Sequence, residues 1–89
     1  MNIEVLFFGQ LREITGVSRT SVVINDNSRL ADLVVDLAGQ YGDAFQKKVE
    51  GIAGMRILIN GREYYLLGCM EAPLSDGNTV VFLPPIAGG

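Results

Sequence analysis

Thr79-Val80-Val81-Phe82-Leu83-Pro84-Pro85 decides how this chain folds. Four of the first five residues are apolar, the composition of a central strand with neighbours on both sides. The two prolines end it, because proline offers no amide hydrogen to a ladder and its ring prefers extended polyproline geometry. Pro73 and then Ser75-Asp76-Gly77-Asn78 form a turn that feeds the strand. A central strand needs partners, and the residues before it supply them.

Asn2 to Phe8 is β-branched and aromatic and stops at Gly9. Ile3, Val5 and Phe7 fall on one face and Leu6 and Phe8 on the other, which predicts a strand covered on both faces. Gln10 to Thr15 reads as a brief connection of about one helical turn. Gly16 follows, and Ser18 to Asn25 then forms a second strand carrying Val22, Val23 and Ile24. Asn25-Asp26-Asn27-Ser28 is a turn, with Ser28 the expected N-cap of a helix. Leu30, Leu33, Val34, Leu37 and Tyr41 make one apolar stripe, while Asp32, Asp36 and Gln40 point elsewhere, and Gly42 ends the helix. Asp43 to Glu50 adds a short helix, with Phe45 and Val49 one turn apart, before a loop from Gly51 to Gly54. Met55 to Asn60 and Arg62 to Leu66 flank Asn60-Gly61, the dipeptide that favours a type I′ hairpin turn. The order is strand, strand, helix, strand, strand, strand. A hairpin, a long helix across one face and a return strand beside the first define an α+β fold of the ubiquitin-like β-grasp kind, a mixed sheet with one main helix on one face. Residues 1–83 form the domain and 84–89 an extended tail.

Composition narrows the chemistry. At 89 residues, 48% of them apolar and 19% charged, the chain has material for one core and too little charge for disorder. A net charge of -3 without a basic tract argues against a nucleic-acid partner. With no histidine and one cysteine, Cys69, the chain lacks His-based triads, Cys/His zinc sites, iron–sulfur ligand sets and an internal disulfide. No metal site and no bound cofactor are expected. No apolar run approaches the ~18 residues of a membrane span, and Glu4 stands where a signal peptide carries positive charge. A cytoplasmic protein without membrane contact is the expectation.

The end of the sequence carries the functional signal. Pro84-Pro85-Ile86-Ala87-Gly88-Gly89 joins rigidity to freedom, and six extended residues reach roughly 20 Å, so a carboxylate on Gly89 stands clear of the domain. Two glycines without Cβ atoms enter a narrow channel and leave the last carbonyl open to a reactant. With Phe7-Phe8-Gly9-Gln10-Leu11-Arg12-Glu13 at the start, Asn60-Gly61 in the middle, and Pro73-Leu74-Ser75-Asp76-Gly77 and Val80 to Gly89 at the end, the chain resembles the small, sulfur-carrying subunits of molybdopterin synthase over nearly its whole length.

The resemblance implies a carrier. In that family a ubiquitin-activating-type enzyme spends ATP to adenylate the terminal glycine, a sulfur donor converts the adenylate to a thiocarboxylate, and the large synthase subunit receives the tail. Sulfur then passes to cyclic pyranopterin monophosphate, building the dithiolene that binds molybdenum or tungsten. Carried over, Gly89 bears the sulfur and Gly88 and Ala87 give it passage. Alternation puts Leu6, Phe8, Val81 and Leu83 on the sheet face away from the helix and close to the tail, an apolar patch that suggests a docking surface, and with Pro84, Pro85 and Ile86 they are the expected partner interface. Two further readings share the activated C-terminus: a carrier for the thiazole of thiamine, and a protein modifier joined through Gly89 to lysines. Outside the interface, Cys69 beside Leu66, Leu67 and Met70 reads as a small buried or half-buried hydrophobe. Arg12 reads as a solvated or partner-facing arginine, and Lys47 and Lys48 as a solvated helix face.

Overall fold

Phe7, Tyr41, Phe45 and Phe82 meet at the centre of the molecule, and the elements that bring them together define its architecture. The computed structural model describes residues 1–85; Ile86, Ala87, Gly88 and Gly89 lie outside the described residues. Strand β1 (Asn2–Phe7) leads into helix α1 (Gly9–Thr15) and strand β2 (Arg19–Val23). Helices α2 (Leu30–Tyr41) and α3 (Asp43–Gly51) follow, then strands β3 (Arg56–Ile59), β4 (Arg62–Glu63) and β5 (Thr79–Leu83). The five strands form one mixed sheet in the order β2-β1-β5-β3-β4, so β5 is central, as its composition predicts. It runs parallel to β1, with Val5 opposite Val80 and Phe7 opposite Phe82, and antiparallel to β3, with Ile57 opposite Phe82. This is the β-grasp arrangement.

Alternation sends Ile3, Val5, Phe7, Ile57, Ile59, Val80 and Phe82 into the core, each at most 5% exposed. Leu30, Leu33, Val34 and Leu37 of α2 pack there too, with Phe45 and Val49 of α3. Phe45 sets its ring edge-on to Phe7 and Phe82 at 5.7 and 5.6 Å, while Phe7 and Phe82 stack at 5.9 Å. Such pairs add about 0.5–1.5 kcal/mol beyond the area they bury. The helix expected from Asp43 to Glu50 is therefore a structural member that seals one end of the core.

Several local expectations change. β1 is covered on one face only, because the helical core lies against the side that carries Ile3, Val5 and Phe7, leaving Leu6 half-exposed and Phe8 39% exposed. The brief link between the first strands is a seven-residue helix, α1, anchored by buried Leu11 and ended by Gly16 at φ 76°, whose N–H reaches the Arg12 carbonyl at 2.9 Å. Ser28 is not the N-cap: its hydroxyl donates to the Asn25 carbonyl at 2.7 Å and closes the preceding turn. Helix α2 starts one residue later, where the Asp32 carboxylate accepts the Arg29 N–H at 2.8 Å. Asn60 and Gly61 take the expected positive φ values, 49° and 81°. The strand beyond them stops at Glu63, and Tyr64–Leu66 is a 3₁₀ turn. At the sheet's edge Tyr65 and Leu66 find nothing to cover them, being 60% and 71% exposed, so further pairing would bury little. Cys69 is exposed rather than packed, with φ 57° in the turn leading to the 3₁₀ segment Cys69–Glu71.

Because Phe45 fills the space between two sheet phenylalanines, Phe45→Ala is expected to cost about 3–5 kcal/mol in urea unfolding. A loss below about 1 kcal/mol would mean that α3 is not part of the cooperative core.

Candidate functional site

The sheet face turned away from the helices carries the second half of each strand's alternation. Leu6 lies opposite Val81, and Val81 opposite Leu58, giving an apolar row across β1, β5 and β3. Arg19 faces Leu6 from β2 and Glu63 faces Leu58 from β4, so the row ends in charge on both sides. Leu83 is one step further along β5, opposite Arg56, and Phe8 follows the end of β1. All five apolar residues are partly exposed or more.

The flanking charges pair within the face, although Glu63 Oε2 is buried without a hydrogen-bond partner among the described residues. Arg19 donates from Nε and Nη2 to Glu4 Oε1 at 3.1 and 2.7 Å, and Ser21 Oγ donates to Glu4 Oε2 at 2.8 Å. On the other side Arg56 donates from Nε to Glu63 Oε1 at 2.8 Å. The hydrogen bond from Ser21, with the Arg19 guanidinium, holds the Glu4 carboxyl below its ordinary pKa. Arg12 behaves differently. Its guanidinium carbon lies 5.6 Å from the centre of the Phe8 ring, a cation–π contact, and among the described residues it makes no ion pair.

Continuous with this face is a cleft of about 390 Å³ lined by Phe8, Gly9, Gln10, Glu13, Leu83, Pro84 and Pro85. It sits where β5 leaves the sheet. Leu6, Phe8, Val81, Leu83, Pro84 and Pro85, expected to form one interface, therefore share one connected surface. Ile86 and the three residues assigned to the tail's chemistry, Ala87, Gly88 and Gly89, lie outside the described residues. Leu58 belongs to the surface and was not expected; the Asn60-Gly61 turn sets β3 only against β4, with Leu58 opposite Glu63, and it is the pairing of β3 with β5 that puts Leu58 beside Val81. Lys47 and Lys48 are exposed on α3, beside a separate cavity of about 380 Å³. No helix among the described residues is long and apolar enough to cross a membrane.

The ThiS family model matches residues 5–89. The chain belongs to the ThiS family. Among ThiS-family relatives, small archaeal modifier protein 3 of Haloferax volcanii is 30% identical over 92 residues, covering all of both chains. The molybdopterin synthase sulfur carrier subunit of Haemophilus influenzae is 30% identical over 87 residues, 98% of this chain and 99% of the other. In the solved protein–protein complex of subunits 1 and 2 of molybdopterin-converting factor from Helicobacter pylori, one chain is 28% identical, matches 100% of both chains and superposes with a TM-score of 0.65. The family expected from the two ends of the sequence is the family found.

The Glu4 cluster gives this ThiS-family face a pH signature. A carboxyl whose pKa is lowered by folding stabilises the fold above its unfolded value, near 4.5, and that contribution disappears as pH falls through the folded value. Wild type is therefore expected to lose more stability than Glu4→Gln between pH 5 and lower values in thermal melts. Parallel acid profiles would show that Glu4 is not held by Ser21 and Arg19.

Proposed function

We propose that the protein is a sulfur carrier, the small subunit of a molybdopterin synthase, and that Gly89 is the residue that carries the sulfur. What supports this reading above all is the continuity of one surface. The apolar row Leu6, Val81, Leu58 runs through Leu83 into the cleft at Pro84 and Pro85, so a partner that takes the tail also covers the sheet. An enzyme swallowing an arm must grip the shoulder. The family match extends through Gly89, and relatives of full matching length are named as sulfur carrier subunits.

The chemistry explains the division of labour. A carboxylate is a poor acyl donor at neutral pH. In the proposed cycle an oxygen of the Gly89 carboxylate attacks the α-phosphorus of ATP on an adenylating enzyme, and pyrophosphate leaves. Sulfide released by the donor then attacks the acyl carbon and AMP leaves, forming the thiocarboxylate. The large synthase subunit holds that group next to cyclic pyranopterin monophosphate, where proximity replaces a bimolecular encounter. The carrier supplies the arm, the docking face and no catalytic side chain, and Arg12, which lies over Phe8 and makes no ion pair among the described residues, is placed to meet an acidic group of a partner. A second reading rests on the relative named small archaeal modifier protein 3: an amine attacking the same acyl-adenylate would make an isopeptide instead.

Incubation with ATP, a matching adenylating enzyme and sulfide is expected to replace one C-terminal oxygen by sulfur, read by intact mass. A tail that never exchanges oxygen for sulfur defeats the carrier reading, and a mass showing attachment to lysine in its place favours the modifier. Docking is checked separately. Leu83→Asp and Leu58→Asp each place an unpaired carboxylate in an apolar contact and are expected to weaken calorimetric binding to the large subunit about tenfold or more. The melting temperature of the free protein should move by less than about 4 °C. Unchanged binding by both variants would take the interface off this face.

A further inference from the structure

Pro84 and Pro85 each rest on a glycine backbone supplied by a distant part of the chain. Gly9 opens α1 with φ 55°, and a Cβ built on it would stand 3.1 Å from Pro84 Cγ. Gly54, in the segment between α3 and β3, has φ 81°, and a Cβ there would stand 3.8 Å from both Cβ and Cγ of Pro85. The ladders that hold β5 end at Phe82 on the β1 side and at Leu83 on the β3 side. Neither proline has an amide hydrogen, and among the described residues no backbone hydrogen bond beyond the ladder holds them. The close approach of Pro84 to Gly9 and of Pro85 to Gly54 is what remains to set the direction in which the chain leaves the sheet.

We propose that Gly9 and Gly54 form a seat that aims the tail, and that they are positioning residues for the transfer. This rests on the carrier reading given above. Carbon atoms pack best at about 3.5–4.0 Å, so a methyl group at Gly9 crowds Pro84 by a few tenths of an ångström, while a Cβ at Gly54 would only touch Pro85 and the further methyls of a branched side chain are needed to crowd it. The arm then starts in another direction, and displacing a reacting group by about 1 Å can cost 10²-fold in rate. Positive φ strains any residue placed at either glycine, which would lower stability without touching the tail. Gly16 and Gly61 separate the two effects, because their φ values are 76° and 81° and a Cβ at either meets nothing within 4 Å.

The test uses the full chain as wild type, Gly9→Ala, Gly54→Val, Gly16→Ala and Gly61→Ala, with melting temperatures and steady-state thiocarboxylation by the adenylating enzyme, ATP and sulfide. All four variants are expected to melt lower. Only Gly9→Ala and Gly54→Val are expected to lose kcat/KM, by about tenfold or more, chiefly through KM for the carrier. Removing the struck atoms rescues the first: Gly9→Ala with Pro84→Ala should lie closer to Pro84→Ala alone than additivity allows. An NOE between the Gly9 α protons and the Pro84 γ protons is expected in wild type. If that NOE is missing, or if both seat variants match their glycine controls while wild type is thiocarboxylated, the seat is wrong and the carrier reading stands. Should Gly9→Ala fail to fold, the comparison of Gly54→Val with Gly61→Ala decides. A wild type that shows the NOE and is never thiocarboxylated overturns the carrier reading and the positioning role with it.

Discussion

Parallel pairing of β5 with β1 is the constraint on which the rest depends. It joins the two ends of the described chain, sets Phe7 beside Phe82, and makes a five-stranded sheet from two separate pairs. Once those strands are in register, period-two alternation leaves no choice about the faces. Val80 and Phe82 go to the helices, and Val81 and Leu83 go out beside Leu6. A slip of one residue would drive Phe82 out and Val81 in, losing the aromatic cluster with Tyr41 and Phe45 and dispersing the outer row. Core and outer apolar row are two sides of one register.

That coupling explains why so much was legible before any coordinates. Strand residues at Thr79 to Leu83 could be read from composition, and their end from two prolines, because both signals are local. Asn60-Gly61 could be read because few other dipeptides accept positive φ twice. The α2 stripe could be read from its spacing. What escaped the sequence depends on neighbours. Leu58 is ordinary in Arg56-Ile57-Leu58-Ile59 until β3 is placed against β5. Helix α1 hangs on one buried residue, Leu11, in a segment with too few apolar positions to show a period. Ser28 and Arg29 differ by one position in a turn, and which of them begins the helix was decided by Asp32 reaching back. Cys69, next to apolar residues in sequence, is exposed, with φ 57°, while its neighbour Met70 is the residue of that segment that packs against the core.

The two faces also differ in how they hold charge. Asp32, Asp36, Asp43 and Glu50 sit on the helical side, where none of them pairs with a cation among the described residues, while Arg19 and Arg56 on the sheet side are each locked to a carboxylate of the neighbouring strand. Exposed pairs of this kind add little stability. Their effect is to leave Leu6, Val81 and Leu58 inside a frame that is polar but nearly neutral.

Neutral framing bears on traffic. On the proposed reading the chain would visit an activating enzyme and then a synthase, and it would have to leave each of them. Long-range attraction would speed arrival at both and would fade with ionic strength. Here Arg19 and Arg56 are already occupied by carboxylates of the same face, so among the described residues Arg12 over Phe8 is left to meet an acidic group, and arrival keeps only a modest dependence on salt. On that same reading residence would be governed by a short stripe of aliphatic contacts, and the order of visits by whichever partner recognises the atom at the end of the arm.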